Sequence, residues 1–380
     1  MLIKKEKISF IGIGKFGTAI SYRLDLLNRY EISFYSRDDN FCQEFNFSKQ
    51  NSRCFSEKTF SKNTNAYSNL YDCVAGSSVI FITTESNSLI DTASKIAPVL
   101  SDGASIVICG KGISDKKPYF YSEILKNIFG GKNINILVFS GPNFADEILN
   151  GELSVTTLAC KNQKVCSDVA AIFKSTNIKI ETTADIIGVQ LFGAMKNVMA
   201  ITVGMLEGLG FGKNRIIRTL MSFVSEIKRL GKLYGSKDET AYLSAGIGDI
   251  MLTCFDDKSR NKSFGVRIGN GESVEAVLKD YLVEGYWAVK SIRDMSKEST
   301  FFTMNKVSLR YIDAVYDILY KHSNPKTSLN SVEKNTASQK PTSVMFSNAW
   351  HFLLKNIIFL LTVIKNLYIL IKKFMKQFFI

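Results

Sequence analysis

The chain has 380 residues, 46% hydrophobic and 22% charged, a composition that suits two ordinary folded domains and argues against a disordered chain. Its two histidines, His322 and His351, and seven cysteines without a CxxC pair leave histidine catalysis and a Cys/His metal site without residues, so no metal is expected. The formal charge of +13 is read as a lysine-rich solvated surface, with no nucleic-acid partner.

The opening "MLIKKEKISFIGIGKFG" has a short apolar run broken by glycines, which fits a buried first strand better than a leader segment. From Lys7 to about Ser140, β-branched and aromatic runs ("KISFIGIG", "EISFYSR", "VIFITT", "ASIVICG", "INILVFSG") alternate with helical spacers. That is the pattern of a parallel sheet covered by helices, an α/β domain expected over 1–187. Cys109, inside one of these runs, suits a reducing, cytoplasmic compartment. Beyond Gly188 the apolar residues follow helical spacing, and a mostly helical domain is expected over 188–322.

"GIGKFG" follows the first strand and opens a helical run. Gly12 permits the tight turn, Gly14 lets backbone approach a pyrophosphate and Gly17 lets helix and strand pack, so a dinucleotide is expected here. Lys15 either adds charge near the pyrophosphate or points outward. Where the second strand ends in "FYSR", Arg37 stands in the neighbourhood usually held by a ribose-binding acid. An arginine there either pairs with a 2′-phosphate, favouring NADPH or tolerance of both cofactors, or is a solvated surface charge.

"GAMKNVMAITVGMLEGLG" is apolar on every side except for Lys196 and Asn197. A helix apolar all round is a buried helix, so Lys196 either snorkels to an edge or stands beside a cleft, where burial would lower its pKa towards proton exchange. "AGIGDIMLTCFDDKSRNKSFG" supplies Asp249 and then Ser259, Arg260 and Asn261, a carboxylate, an oxyanion clamp and an amide, or simply an N-cap and a turn. Lys111, Gly141 and Asn143 each follow a strand-like run, at the edge where open α/β sheets bind ligands.

In order and spacing, "GIGKFG", "GKGI", "GPNFADEI", "GAMKNVMAITVGMLEGLGFGKN", "AGIGDIMLTCFDDKSRNKSFG" and "VEGYWAVKSI" resemble the bacterial-type NAD(P)-dependent glycerol-3-phosphate dehydrogenases over about residues 7–320. The resemblance implies a Rossmann-type domain followed by an all-helical one. It implies interconversion of dihydroxyacetone phosphate and sn-glycerol 3-phosphate with NADH or NADPH, feeding phospholipid synthesis. It also implies that Lys196 exchanges the proton at the substrate C2 oxygen beside Lys111 and Asp249, and that Ser259, Arg260, Asn261, Gly141 and Asn143 hold the substrate. Phe16, Arg37, Lys111, Ala145, Arg260, Leu282 and Glu284 match dinucleotide contacts. The alternatives are a related NADPH-dependent reductase of a hydroxy acid and a non-catalytic dinucleotide-binding sensor tethered to a membrane. The sequence departs from the family at Glu85, where a proline-serine pair begins, at Lys15, where a small residue is common, and across 47–69, which lacks the family's leucine-proline landmarks.

Residues 323–343 are Ser, Thr, Asn, Lys and Pro with scarcely an apolar side chain and are expected to form a flexible linker. In 344–380, His351, Lys355, Lys365, Lys372, Lys373 and Lys376 gather on one side of a helix whose remainder is Phe, Leu, Ile and Val. No uncharged stretch there reaches the roughly 20 residues of a membrane span. The segment is read as an interfacial helix placing a cytoplasmic enzyme at the inner membrane face, or as a helix packed on this or a neighbouring subunit in a homodimer.

Overall fold

A computed structural model describes residues 5–280, 282–297 and 309–336. The N-terminal part alternates strands and helices: β1 (Glu6–Ile11), α1 (Lys15–Asp25), β2 (Tyr30–Tyr35), α2 (Asp39–Ser48), β3 (Thr64–Tyr67), α3 (Leu70–Val74), β4 (Val79–Ile82), α4 (Leu89–Ile96), β5 (Ser105–Ile108), α5 (Tyr121–Ile128) and β6 (Asn135–Ser140). After these come α6 (Ala145–Asn150), β7 (Ser154–Ala159), α7 (Gln163–Ala171) and β8 (Ile178–Thr183). The strand order is β3-β2-β1-β4-β5-β6-β7-β8, and the first six follow the doubly wound order that places a ligand crevice at the carboxyl edge beside β1 and β4. The expected α/β domain is present, but its sheet is mixed, because β7 runs antiparallel to β6 while β8 is parallel to β7.

The central strands are apolar on both faces because helices cover both. Ile80, Ile82, Ile106 and Ile108 point into one core; Phe10, Phe34, Phe81, Phe139 and Phe173 pack in the other, with the rings of Phe10 and Phe81 stacked 4.8 Å apart. The sequence reading did not include β3, β7 and β8. Their polar content ("TNAY", "SVTTLA", "IKIETT") blurs the apolar runs that reveal the middle of the sheet.

The helical part begins with α8 (Ile186–Gly208), followed by α9 (Lys213–Leu233), α10 (Asp249–Phe255), α11 (Arg260–Gly269), α12 (Val274–Leu278), α13 (Glu284–Lys297) and α14 (Arg310–Lys321). No strand follows β8 among the described residues. Asp185 starts α8 by accepting the Gly188 N–H at 2.8 Å, and its other oxygen accepts from Lys237 N, Ser236 Oγ and Thr240 Oγ1, so this buried carboxylate is fully occupied. α8 is long and apolar enough to cross a membrane, but 94% of its most apolar window is buried inside the protein, which makes it the central helix of the domain.

Glycines set how closely α8 meets α11. A Cβ on Gly204 or Gly208 would collide with the carbonyls of Lys262 and Val266, and one on Gly265 or Gly269 with those of Ile201 and Met205. Two Gly-x-x-x-Gly pairs thus let the two backbones touch. That contact fixes the start of α11, with Arg260 and Asn261, beside the middle of α8, with Lys196 and Asn197.

Most of the expected linker, 323–343, is not a flexible segment. Pro325–Thr336 is a helix with Pro325 in its first turn, the Asn324 Oδ1 accepting from Thr327 N at 3.1 Å, and Leu329 and Val332 buried one turn apart. Two apolar residues at the right spacing and a cap outweigh the polar composition. The expected tail, 344–380, and the rest of the linker from 337 lie outside the described residues.

Candidate active site

The glycine loop joins β1 to α1. Gly12 has φ +102°, and a Cβ there would sit 2.8 Å from Thr84 N; one on Gly17 would strike the Gly12 carbonyl, while Gly14 faces open space as the N-cap of α1. The three glycines therefore divide the work as their spacing suggests: turn, open approach and packing. Lys15 is exposed with its ammonium 5.9 Å from the Phe55 ring centre, and Phe16 packs into the core against Phe139 at 6.3 Å. Ala145, in the first turn of α6, also packs against that core.

A cavity of about 630 Å³ opens beside this loop, lined by Gly12, Ile13, Thr84, Tyr35, Ser36, Arg37, Asp38, Asp39 and Arg53. Arg37 is exposed at its wall and makes no hydrogen bond among the described residues. A second, smaller cavity of about 140 Å³ is lined by Glu85, Ser86, Lys111, Tyr121, Leu282, Glu284 and Trp287 among others. Glu85 thus occupies a real wall of the cleft, at the turn after β4. The Thr84 and Ser86 hydroxyl oxygens on that turn, and Ser140 at the end of β6, are buried without a hydrogen-bond partner. A glycine cradle with unpartnered hydroxyls along the carboxyl edge of the sheet fits a dinucleotide, whose phosphates and carboxamide would supply the missing partners.

The three expected reacting residues meet at one point. Asp249, 1% exposed, accepts from Lys196 Nζ at 2.6 Å on one oxygen and from Lys111 Nζ at 2.5 Å on the other. Lys111 also donates to the Gly141 carbonyl at 3.0 Å, and Lys196 to Thr253 Oγ1 at 3.0 Å. Thr253, one turn after Asp249 on α10, donates to the Asp249 carbonyl at 2.7 Å, which aims its lone pair at Lys196. The asymmetry of α8 is thereby explained: its single lysine reaches out of the buried helix with its side chain 12% exposed and its charge balanced by a buried acid. Burial pulls the Lys111 ammonium down to about 8; Asp249 opposes this and the Lys196 charge adds to it. One carboxylate between two ammoniums leaves a local excess of positive charge, suited to a substrate that is anionic or becomes so.

The neighbouring residue Asn197 belongs to a second network. It donates to Glu284 Oε2 at 3.1 Å and accepts from Asn261 Nδ2 at 3.1 Å, while Asn261 accepts the Gly285 N–H at 2.9 Å. These bonds tie α8, α11 and α13 together and set the height of α11. Ser259 is the N-cap of α11, accepting from Lys262 N at 3.3 Å, and Arg260 is exposed in the first turn without a hydrogen bond among the described residues. Asn143 is bound to β7, accepting from Thr156 Oγ1 at 3.0 Å and donating to the Val155 carbonyl at 3.4 Å. Thr253, Tyr121, Trp287 and Arg53 are site residues that sequence reasoning passed over. Thr253 carried a signal, its i+4 spacing from Asp249; Arg53 carried none, lying in the stretch without landmarks.

Residues 7–166 match the model of the NAD-dependent glycerol-3-phosphate dehydrogenase N-terminus and residues 185–330 that of its C-terminus. The glycerol-3-phosphate dehydrogenase [NAD(P)+] of Teredinibacter turnerae is 32% identical over 294 residues, 77% of this chain and 86% of that protein. Its counterpart from a Thermoanaerobacter species is 30% identical over 328 residues, covering 86% and 96%. The crystal structure of glycerol-3-phosphate dehydrogenase from Coxiella burnetii superposes with a TM-score of 0.76 at 24% identity, covering 86% of this chain and 98% of that one, a likeness of fold. With both halves matched in order, the chain belongs to the NAD(P)-dependent glycerol-3-phosphate dehydrogenase family of oxidoreductases.

Proposed function

We propose that this protein interconverts dihydroxyacetone phosphate and sn-glycerol 3-phosphate. The observation that carries the reading is the buried Asp249 carboxylate shared by Lys196 and Lys111, of which Lys111 lines the smaller cavity. When bound, NADH or NADPH supplies the hydride for the ketone carbon, C2. The Lys196 ammonium gives its proton to the C2 oxygen, so the developing alkoxide is never free, and Asp249 holds the lysine in place before and after the transfer. In the reverse direction neutral Lys196 takes that proton from the alcohol. Lys111, charged below about pH 8, adds a second positive group beside the oxygen. Thr253 orients Lys196, and Gly141 orients Lys111.

Arg260, exposed at the N-terminus of α11 and joined to the cluster through Asn261 and Asn197, is the group proposed to hold the phosphate, with Ser259 next to it in the chain and Asn143 proposed as a further substrate contact. Arg37 at the adenosine end is proposed to meet a 2′-phosphate. The seven cysteines, all free, suit a cytoplasmic site. The proposal extends to homodimerisation, supported by the exposed Ile217 and Met221 one turn apart on α9, and to membrane contact by 344–380, supported by the lysine-edged periodicity of that segment.

The test is oxidation of NADH or NADPH by purified protein with dihydroxyacetone phosphate and, separately, with unphosphorylated dihydroxyacetone. The phosphorylated ketone should turn over far faster, and Arg260→Lys should raise its KM, since a point charge cannot reproduce the planar fork. Equal rates on the two ketones would end the phosphate assignment, and a hydroxy-acid substrate turning over faster would favour the alternative reductase.

A further inference from the structure

We propose that Arg53 is a specificity-determining residue that, with Arg37, forms a two-arginine seat for the 2′-phosphate of NADPH; this rests on the dinucleotide reading above. Both residues line the cavity beside the glycine loop, although they stand on opposite sides of α2 in the chain. Arg53 is held there before any ligand arrives. Its Nη2 pairs with Asp38, and its guanidinium lies 4.5 Å from the centre of the Phe41 ring. Arg37, by contrast, has no partner among the described residues.

The two acids that line the cavity already accept hydrogen bonds, and Arg53 balances the charge of Asp38, so Arg37 and the unused N–H donors of Arg53 remain for a ligand. Asp38 is the N-cap of α2, accepting from Phe41 N at 3.2 Å as well as from Arg53, and the N-cap bond and Arg53 hold its carboxyl below the usual range against a desolvation that raises it. Asp39 accepts from Gln43 Nε2 at 2.8 Å and Ser68 Oγ at 2.7 Å. Among the described residues the Arg53 guanidinium uses one of its nitrogens, leaving the remaining N–H donors of its fork for a planar or tetrahedral oxyanion. Asp38 thus places Arg53, and the aromatic ring fixes its plane. A ribose carrying only a hydroxyl would gain little from two cations; a phosphate would engage both.

Binding alone tests this, without turnover. Calorimetric titration should compare adenosine 2′,5′-bisphosphate with adenosine 5′-monophosphate, and NADPH with NADH, on the full chain. Wild type should prefer the 2′-phosphorylated member of each pair. Arg53→Gln should weaken that member by about tenfold or more while leaving AMP and NADH unchanged, as expected for loss of a charge-assisted fork. Arg53→Lys, which keeps the charge without the fork, should fall between the two. A purely structural role would lower all four affinities together. That result, or no change for any ligand, would overturn the proposal, as would a wild type that does not distinguish bisphosphate from monophosphate. The reaction itself is judged separately, by turnover of dihydroxyacetone phosphate.

Discussion

Replacing Asp249 by Asn removes the one negative charge between two ammonium groups. The carboxylate is 1% exposed and lies 2.6 Å from Lys196 Nζ and 2.5 Å from Lys111 Nζ. An Asn amide group would turn N–H donors towards at least one of them. Breaking a buried ion pair costs about 3–5 kcal/mol, because the remaining charge stays desolvated. Both lysines retain some solvent exposure, 12% and 20%, and can shift towards the cleft, so the low end, about 3 kcal/mol at pH 7, is expected. The sign of the pH dependence is fixed by linkage. Lys111 already has a folded pKa lowered to about 8, and without Asp249 it falls further. Between that value and the ordinary lysine pKa of about 10.4, the unfolded chain binds more protons than the folded one, so stability rises with pH. The deficit of Asp249→Asn in urea midpoint should therefore be large at pH 7 and shrink by pH 9.5. Equal stability at pH 7, or a gap that does not change with pH, would refute the shared-carboxylate account.

Two further changes probe the site and the scaffold separately. In wild type, kcat/KM for dihydroxyacetone phosphate should decline above about pH 8 as Lys111 loses its proton, and Lys111→Arg should move that alkaline limb upwards at a reduced rate; an unmoved limb assigns it to another group. Gly265→Ala would press a methyl group against the Ile201 carbonyl and should cost about 1–3 kcal/mol or more, with a lower Tm, so a variant of unchanged Tm would show that α8 and α11 do not meet so closely.

The middle of the sheet was legible because β4 and β5, buried on both faces, must be nearly all β-branched or aromatic; β3, β7 and β8 carry polar residues and were not. The glycine loop was legible because three backbone constraints fix three positions. Lys196 stood out as a lone charge in a buried helix, but its partner did not, since Asp249 lies 53 residues away and the kink at Gly246, in the turn Ser244–Gly248 that precedes it, breaks the helical spacing. The resemblance to the family supplied the link between them that periodicity could not. Arg53 was unreadable for a different reason: its position depends on a cap at Asp38 and a ring at Phe41, contacts across α2 that no local pattern encodes. The helix at Pro325–Thr336 shows the converse error, since composition was weighed over two well-spaced apolar residues and an asparagine cap.

Lys196 is the residue through which the proposed reaction must pass. Lys196→Ala should be assayed for reduction of dihydroxyacetone phosphate beside direct measurement of NADH and NADPH binding. Loss of turnover by about 10²–10⁴-fold or more, with dinucleotide affinity retained, is the predicted result, because the lysine delivers a proton and does not recognise the cofactor. Near-normal turnover would contradict the mechanism at its centre.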